Sequence, residues 1–205
     1  PLAKNLKGNV LFPARMHMLF KGISGVYACT NANCSCAHSE DGLTLGEIYL
    51  SDGNLVCPHC GSVVYELYND RRCGALFFKG YVLEDDSGLH GNVFLWRYPG
   101  QLMDRRMKEI HLFIPSEDFE LPKKQGKNAI KPCYLDVKSG FINFTDDSSA
   151  DKPWIRKLYY CKYSAKGRPQ VITFPTCPHC RHQLSTSQLT SFSTRGNQSF
   201  FNLVK

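Results

Sequence analysis

With 205 residues, 42% of them hydrophobic, the chain can build a core and divide into one or two small domains. Its 25 Lys and Arg against 18 Asp and Glu give a formal charge of +7, too mild a bias to argue for nucleic acid by charge alone. No apolar run approaches the ~20 residues of a membrane helix, and ten cysteines without a secretory leader favour reduced thiols and a cytoplasmic protein over a disulfide framework.

In chain order, Arg15 to Lys21 partly alternates and reads as a strand, and Gly22 to Gly25 supplies a turn. Val26-Tyr27-Ala28 then delivers Cys29, the first of a cysteine-rich stretch with Cys34 and Cys36. Residues 30–45 are small and polar, a loop; Gly46 to Leu50 is a short strand, and Asp52-Gly53-Asn54 is a hairpin turn. Cys57-Pro58-His59-Cys60 follows at once. A Cys-x-x-Cys turn points two sulfurs at one place, and a second pair arriving from another strand completes the tetrahedron that zinc takes. Cys29, Cys34, Cys57 and Cys60 are such a set, in the order of a zinc ribbon.

Val63 to Tyr68 and Ala75 to Leu83 read as further strands. Between them, Asp70-Arg71-Arg72-Cys73-Gly74 resembles half a knuckle with Asp70 in the place of a first cysteine; a carboxylate can bind zinc, but the plainer reading is a lapsed ligand pair with Cys73 buried. Residues 92–98 and 109–114 are expected strands around a short helix or turn near Gln101 to Lys108. Residues 121–132, with four lysines, read as a loop, and Tyr134 to Val137 and Phe141 to Phe144 as a hairpin about Ser139-Gly140. Residues 145–153 form a polar linker. A second Cys-Pro-His-Cys, Cys177 to Cys180, has a lone Cys161 upstream, and His182 just beyond is the obvious fourth ligand, with Cys133 and Cys73 as more distant candidates. Residues 185–191 suggest a helix start.

The expected fold is therefore β-rich α+β with little helix: small antiparallel sheets carrying zinc-ribbon and knuckle units. Three regions are expected: 1–98 as an N-terminal zinc ribbon, 99–152 as hairpin and linker, and 153–205 as the second cysteine unit and tail. One zinc ion is expected and a second is suggested. A four-thiolate site carries −2 and a three-thiolate site −1, which lowers the holo charge from +7 to +4.

No phosphate loop, DExH box, HExxH, GxSxG or deaminase His-x-Glu occurs, and four thiolates close a zinc site, so the chain reads as a non-enzyme. The basic residues Arg71, Arg72, Lys162, Lys166, Arg168 and Arg181 are candidates for phosphate contact. Tyr159, Tyr160 and Tyr163 interleaved with Lys157, Lys162 and Lys166 would suit single-strand stacking. Charge reversal at Lys162 and Lys166 should then weaken DNA binding.

The run Arg15-Met16-His17-Met18-Leu19-Phe20-Lys21-Gly22-Ile23-Ser24-Gly25-Val26-Tyr27-Ala28-Cys29 resembles the entry to the cysteine-rich insertion of large bacterial superfamily-2 DEAD/DEAH-type helicases, of the DISARM-like anti-phage kind. Cys57 to Gly61, Arg71 to Gly74 and Gly80-Tyr81-Val82 fit the same insertion. Phe192 to Phe200 is similar to the TRGxxPF stretch that leads into the second RecA-like lobe, with Ser199 in place of Pro. The chain departs from that pattern at Asp70 and Ser164, where knuckle cysteines are expected. The resemblance implies an accessory domain whose partners are DNA, flanking motor lobes or another protein, with ATP hydrolysis belonging to the lobes. A first residue of Pro rather than Met agrees with an excised or processed segment.

Overall fold

The computed structural model describes residues 25–83, 91–99, 107–123, 126–145, 152–165, 168–185 and 189–192. Among them the chain forms thirteen strands and no helix. These are β1 Tyr27–Cys29, β2 His38–Glu40, β3 Leu43–Leu45, β4 Ile48–Tyr49, β5 Val64–Asp70, β6 Leu76–Leu83, β7 Asn92–Phe94, β8 Met107–Phe113, β9 Asn128–Asp136, β10 Phe141–Asn143, β11 Ile155–Ala165, β12 Arg168–Ile172 and β13 Leu189–Ser191. The β-rich, antiparallel expectation holds. The strand expected over Arg15 to Lys21 and most of the turn near Gln101 lie outside the described residues.

Eleven strands join one sheet in the order β4-β1-β5-β6-β8-β11-β9-β10-β7, with β12 on β11 and β13 on β5, while β2 and β3 make a separate ribbon. The sheet curls back on itself. Two residues past β7, Trp96 pairs with Tyr81 of β6, its amide and carbonyl exchanging hydrogen bonds of 2.8 and 2.7 Å. This closes a ring through β6, β8, β11, β9, β10 and β7. Closure brings Leu95 onto Gly80, where a Cβ would stand 2.5 Å from the leucine Cδ1, so the seam requires glycine there.

Period-two alternation explains how one set of strands serves two cores. Phe78 and Val82, Ile110 and Leu112, Cys133 and Leu135, Leu158 and Tyr160 belong to the main core inside the ring. Phe77, Phe113, Tyr159 and Cys161, at the alternate positions, form a second apolar layer with Phe174 and Cys177. The second cysteine unit lies on that outer layer. A third small core holds Tyr27, Cys29, Cys34, Cys57 and Val64.

Three local expectations are corrected. Residues 30–45, expected as a loop, carry β2 and β3 as an antiparallel ribbon. β9 begins at Asn128, inside the expected lysine-rich loop, and pairs along its length with β11. Leu189 to Ser191, expected to open a helix, is a strand on β5, because its backbone completes the β5 edge opposite Tyr68 to Asp70. Strands from all three expected regions meet in the large sheet: β11 lies between β8 and β9, and β13 lies on β5.

Candidate metal centres

Three turns share one backbone geometry. In the first knuckle the Gly61 amide donates to the Cys57 carbonyl and the Cys57 amide to the Ser62 carbonyl, both at 2.8 Å. In the second, the Arg181 amide donates to the Cys177 carbonyl (3.1 Å) and the Cys177 amide to the His182 carbonyl (2.8 Å). At Asp70 the pattern recurs, with the Gly74 amide on the Asp70 carbonyl (2.8 Å) and the Asp70 amide on the Ala75 carbonyl (2.9 Å). Each turn places its fifth residue in the left-handed region: Gly61 at φ 66°, Gly74 at 76°, and Arg181 at 63°. Glycine suits that conformation and arginine does not, so Arg181 is held there by its surroundings.

The first centre gathers Cys29, Cys34, Cys57 and Cys60, whose sulfurs all lie within 4.8 Å of one another. Cys29 and Cys60 are 3.5 Å apart and Cys34 and Cys57 3.8 Å. A tetrahedral ion bound at the usual Zn–S length of about 2.3 Å sets sulfurs about 3.8 Å apart. The geometry can therefore hold a metal ion. Burial pushes the Cys29 and Cys34 thiols up. Burial also opposes ionisation of Cys60, but the Ser62 hydroxyl and amide and the Cys29 and Cys34 thiols outweigh it and bring that thiol down to about 6. Arg156 reaches this centre from β11, its guanidinium donating to the Thr30 carbonyl at 2.8 Å and to the Thr44 carbonyl. Burial draws this arginine down to about 10, and the negative charge of Cys29 acts the other way. A four-thiolate centre is the anion that such an enclosed cation suits.

The second centre differs from the expected set. Cys177 and Cys180 meet Asp70 and Cys73, with all four ligand atoms within 4.8 Å. Cys73 and Cys177 sulfurs are 3.6 Å apart, and Asp70 Oδ2 lies 3.3 Å from Cys73 and 3.5 Å from Cys180. Asp70 Oδ1 is occupied separately, accepting from the Arg72 amide at 3.0 Å. Burial works against the Asp70 carboxylate, yet the Arg72 amide and the three thiols hold it below the ordinary range.

Cys161 and His182 stay outside. β11 pairs Cys161 with Ile130 and Ile172 and turns its thiol into the outer apolar layer, where burial pushes it up to about 11. His182 is exposed and contributes its backbone carbonyl to the knuckle. Cys133 is wholly buried in the main core. The half-knuckle ending of Asp70 to Gly74, x-x-Cys-Gly like that of Cys57 to Gly61, is the sequence signal that marks this pair, and the structure brings it to the second knuckle in place of Cys161 and His182.

Of the basic candidates, Arg71, Arg72 and Arg181 are exposed and flank ligands of the second centre. Arg71 Nε donates to Thr190 Oγ1 (3.0 Å) and Arg181 to the Glu120 carbonyl (3.3 Å). Lys162 is half-buried on β11; Lys166 and the Arg168 side chain lie outside the described residues. The expected stacking platform does not form at Tyr159 and Tyr160, which point to opposite faces of β11 and are buried in the outer layer and the main core. Exposed aromatics occur elsewhere, on the β7–β10 side. Trp96 packs edge-on to Phe94 (4.8 Å) and Phe94 to Phe141 (5.4 Å). Phe141 and Trp154 line a cleft of about 280 Å³ with Tyr134 and Lys152.

The sequence over residues 48–194 matches the model of the YjiV N-terminal domain. The chain belongs to the YjiV N-terminal domain family. The matched stretch contains every residue of the second centre and both knuckle cysteines of the first, while Cys29 and Cys34 precede it. The chain is also similar to the Druantia protein DruE of Escherichia coli strain UMEA 4076-1, at 26% identity over 208 residues. That alignment covers 97% of this chain but only 10% of DruE, so the chain spans about a tenth of that relative's length. No solved structure matches. Among the described residues no helix is long and apolar enough to cross a membrane.

Proposed function

We propose that this YjiV N-terminal-type chain is a non-catalytic, zinc-binding accessory domain of a DNA helicase or translocase, and that it contacts single-stranded nucleic acid. The observation that carries the reading is the exposed aromatic run of Trp96, Phe141 and Trp154, each 44–45% exposed, with Lys152 beside the Phe141–Trp154 cleft. Exposed rings accept unstacked bases whatever their identity, and nearby cations track the phosphates. Zinc suits both centres because their donors are thiolates with at most one carboxylate and four ligands each, which is the composition of a closed structural site. Similarity to a small part of the much longer Druantia protein supports an accessory role, and the resemblance to DISARM-like helicases supports an anti-phage setting with the motor in other segments.

The test is fluorescence anisotropy of labelled single-stranded and duplex DNA with the metal-loaded chain at two salt concentrations. Single-stranded DNA should bind, and more weakly as salt rises, because displaced counterions set the slope. Phe141→Ala and Trp154→Ala should each weaken binding by about 5- to 150-fold, the roughly 1–3 kcal/mol of a stacked base. Folded, metal-loaded chain that ignores DNA at low salt would overturn the reading.

A protein-docking role is the second reading. It is favoured by Ile48, Leu50, Leu55 and Val56, aliphatic residues 41–61% exposed just before the first knuckle.

A further inference from the structure

We propose a third metal site, an open one, formed by Cys36, Glu47 and His59. Their ligand atoms lie within 4.8 Å of one another, with His59 Nε2 2.9 Å from Glu47 Oε2. The three donors come from three segments, and each segment is fixed by the first tetrad. Cys36 stands two residues past Cys34, in a turn closed by the Ala37 amide on the Cys34 carbonyl at 3.0 Å. Glu47 is bound to β1 through its carbonyl, which accepts from the Cys29 amide at 2.9 Å; the preceding Gly46 amide returns to the Cys29 carbonyl at 3.1 Å. His59 sits inside the knuckle between Cys57 and Cys60. The tetrad thus presents sulfur, oxygen and nitrogen at one surface point, and Tyr49 fixes the carboxylate further by donating to Glu47 Oε2 at 2.9 Å.

The donor chemistry selects the ligand. One thiolate, one carboxylate and one neutral imidazole carry −2 together, so a divalent cation is neutralised there, and Cys36 gives up its thiol proton on binding. Mixed sulfur, nitrogen and oxygen donors suit zinc and neighbouring divalent transition metals rather than calcium or magnesium. Three protein ligands leave a fourth position for water or an incoming group, unlike the closed tetrads. The site is accessible, with the His59 and Glu47 side chains 44% and 28% exposed. The corresponding knuckle histidine, His179, belongs to no such group among the described residues, so the feature is particular to the first ribbon.

The test counts metal on the whole reduced chain equilibrated over a range of free zinc, with Cys36→Ser, Glu47→Gln and His59→Ala beside it. Wild type should hold one equivalent more than each variant. That equivalent should fill last and leave first to a mild chelator, with circular dichroism unchanged. Cobalt in the same position should show weaker thiolate charge-transfer absorption than the tetrads. If Cys36→Ser disturbs the ribbon, His59→Ala decides, since nearly half its side chain is in solvent. Equal stoichiometry in wild type and His59→Ala at every zinc concentration would overturn the site and leave His59–Glu47 as an ordinary ion pair.

Discussion

At Asp70, one carboxylate oxygen caps a turn through the Arg72 amide while the other faces the thiols of Cys73 and Cys180. Asp136 does only the first of these things, its Oδ1 accepting from Lys138 and Ser139 in the β9–β10 hairpin. The comparison separates turn former from ligand, and substitutions can do the same. Asp70→Asn keeps the cap but removes an anionic donor, so it should weaken metal retention at the second centre by more than the roughly 10–100-fold that losing an outer partner costs. Asp70→Cys should retain the ion and shift a cobalt spectrum from three thiolates towards four. Metal analysis and cobalt absorption read both outcomes; an Asp70→Asn chain that held the ion as tightly as wild type would make Asp70 a turn former alone.

Among the elements, the first ribbon depends most on its ligands. Its small core is Tyr27, Cys29, Cys34, Cys57 and Val64, so three of its five buried residues are themselves candidate ligands. Without an ion they are buried thiols with little apolar support. Chelation should therefore release β1, β4 and the residues around the knuckle while β8, β9 and β11 stay protected, because the main core is built without ligands. Hydrogen exchange before and after chelation measures this; uniform loss of protection would show that the ring depends on the metals as well. The sequence makes the ribbon legible because a Cys-x-x-Cys turn is local: its spacing and its glycine announce it. Asp70 is visible as the same turn but carries the wrong ligand type, and the knuckle it meets, Cys177 and Cys180, lies more than a hundred residues away. Cys161 misled for the opposite reason. It stands upstream of a knuckle as a ligand would, yet its side-chain direction follows from the β11 register, which depends on β9, a strand hidden by lysines and Pro132.

For the molecule as a whole, the register of strands around the ring sets which charges share a face. On the outside of β6 and β8, Lys79 approaches Glu109 to 3.4 Å and His111 approaches it to 3.1 Å. The His111 imidazole chiefly, with the Lys79 ammonium, brings the Glu109 carboxyl down to about 2. A carboxyl lowered by folding contributes stability above its ordinary value of about 4.3 and loses it as pH falls towards 2. Wild type should therefore melt higher than Glu109→Gln at pH 5, with the difference in Tm shrinking by pH 3. The comparison cancels acid loss of metal, which both chains share. An equal difference at the two pH values would assign Glu109 no part in acid stability.

β5 starts just after the first knuckle and ends on Asp70, so a single seven-residue strand runs from one centre to the other. Ions at the two centres would clamp both its ends against sliding, since a two-residue slip would carry Asp70 about 7 Å from its thiols. So held, the strand would be a stiff rod of fixed length, about 20 Å from end to end. A tug at either tip would then travel along it as tension through covalent backbone, shared with β6 and β1 by shear, instead of being absorbed by a yielding loop.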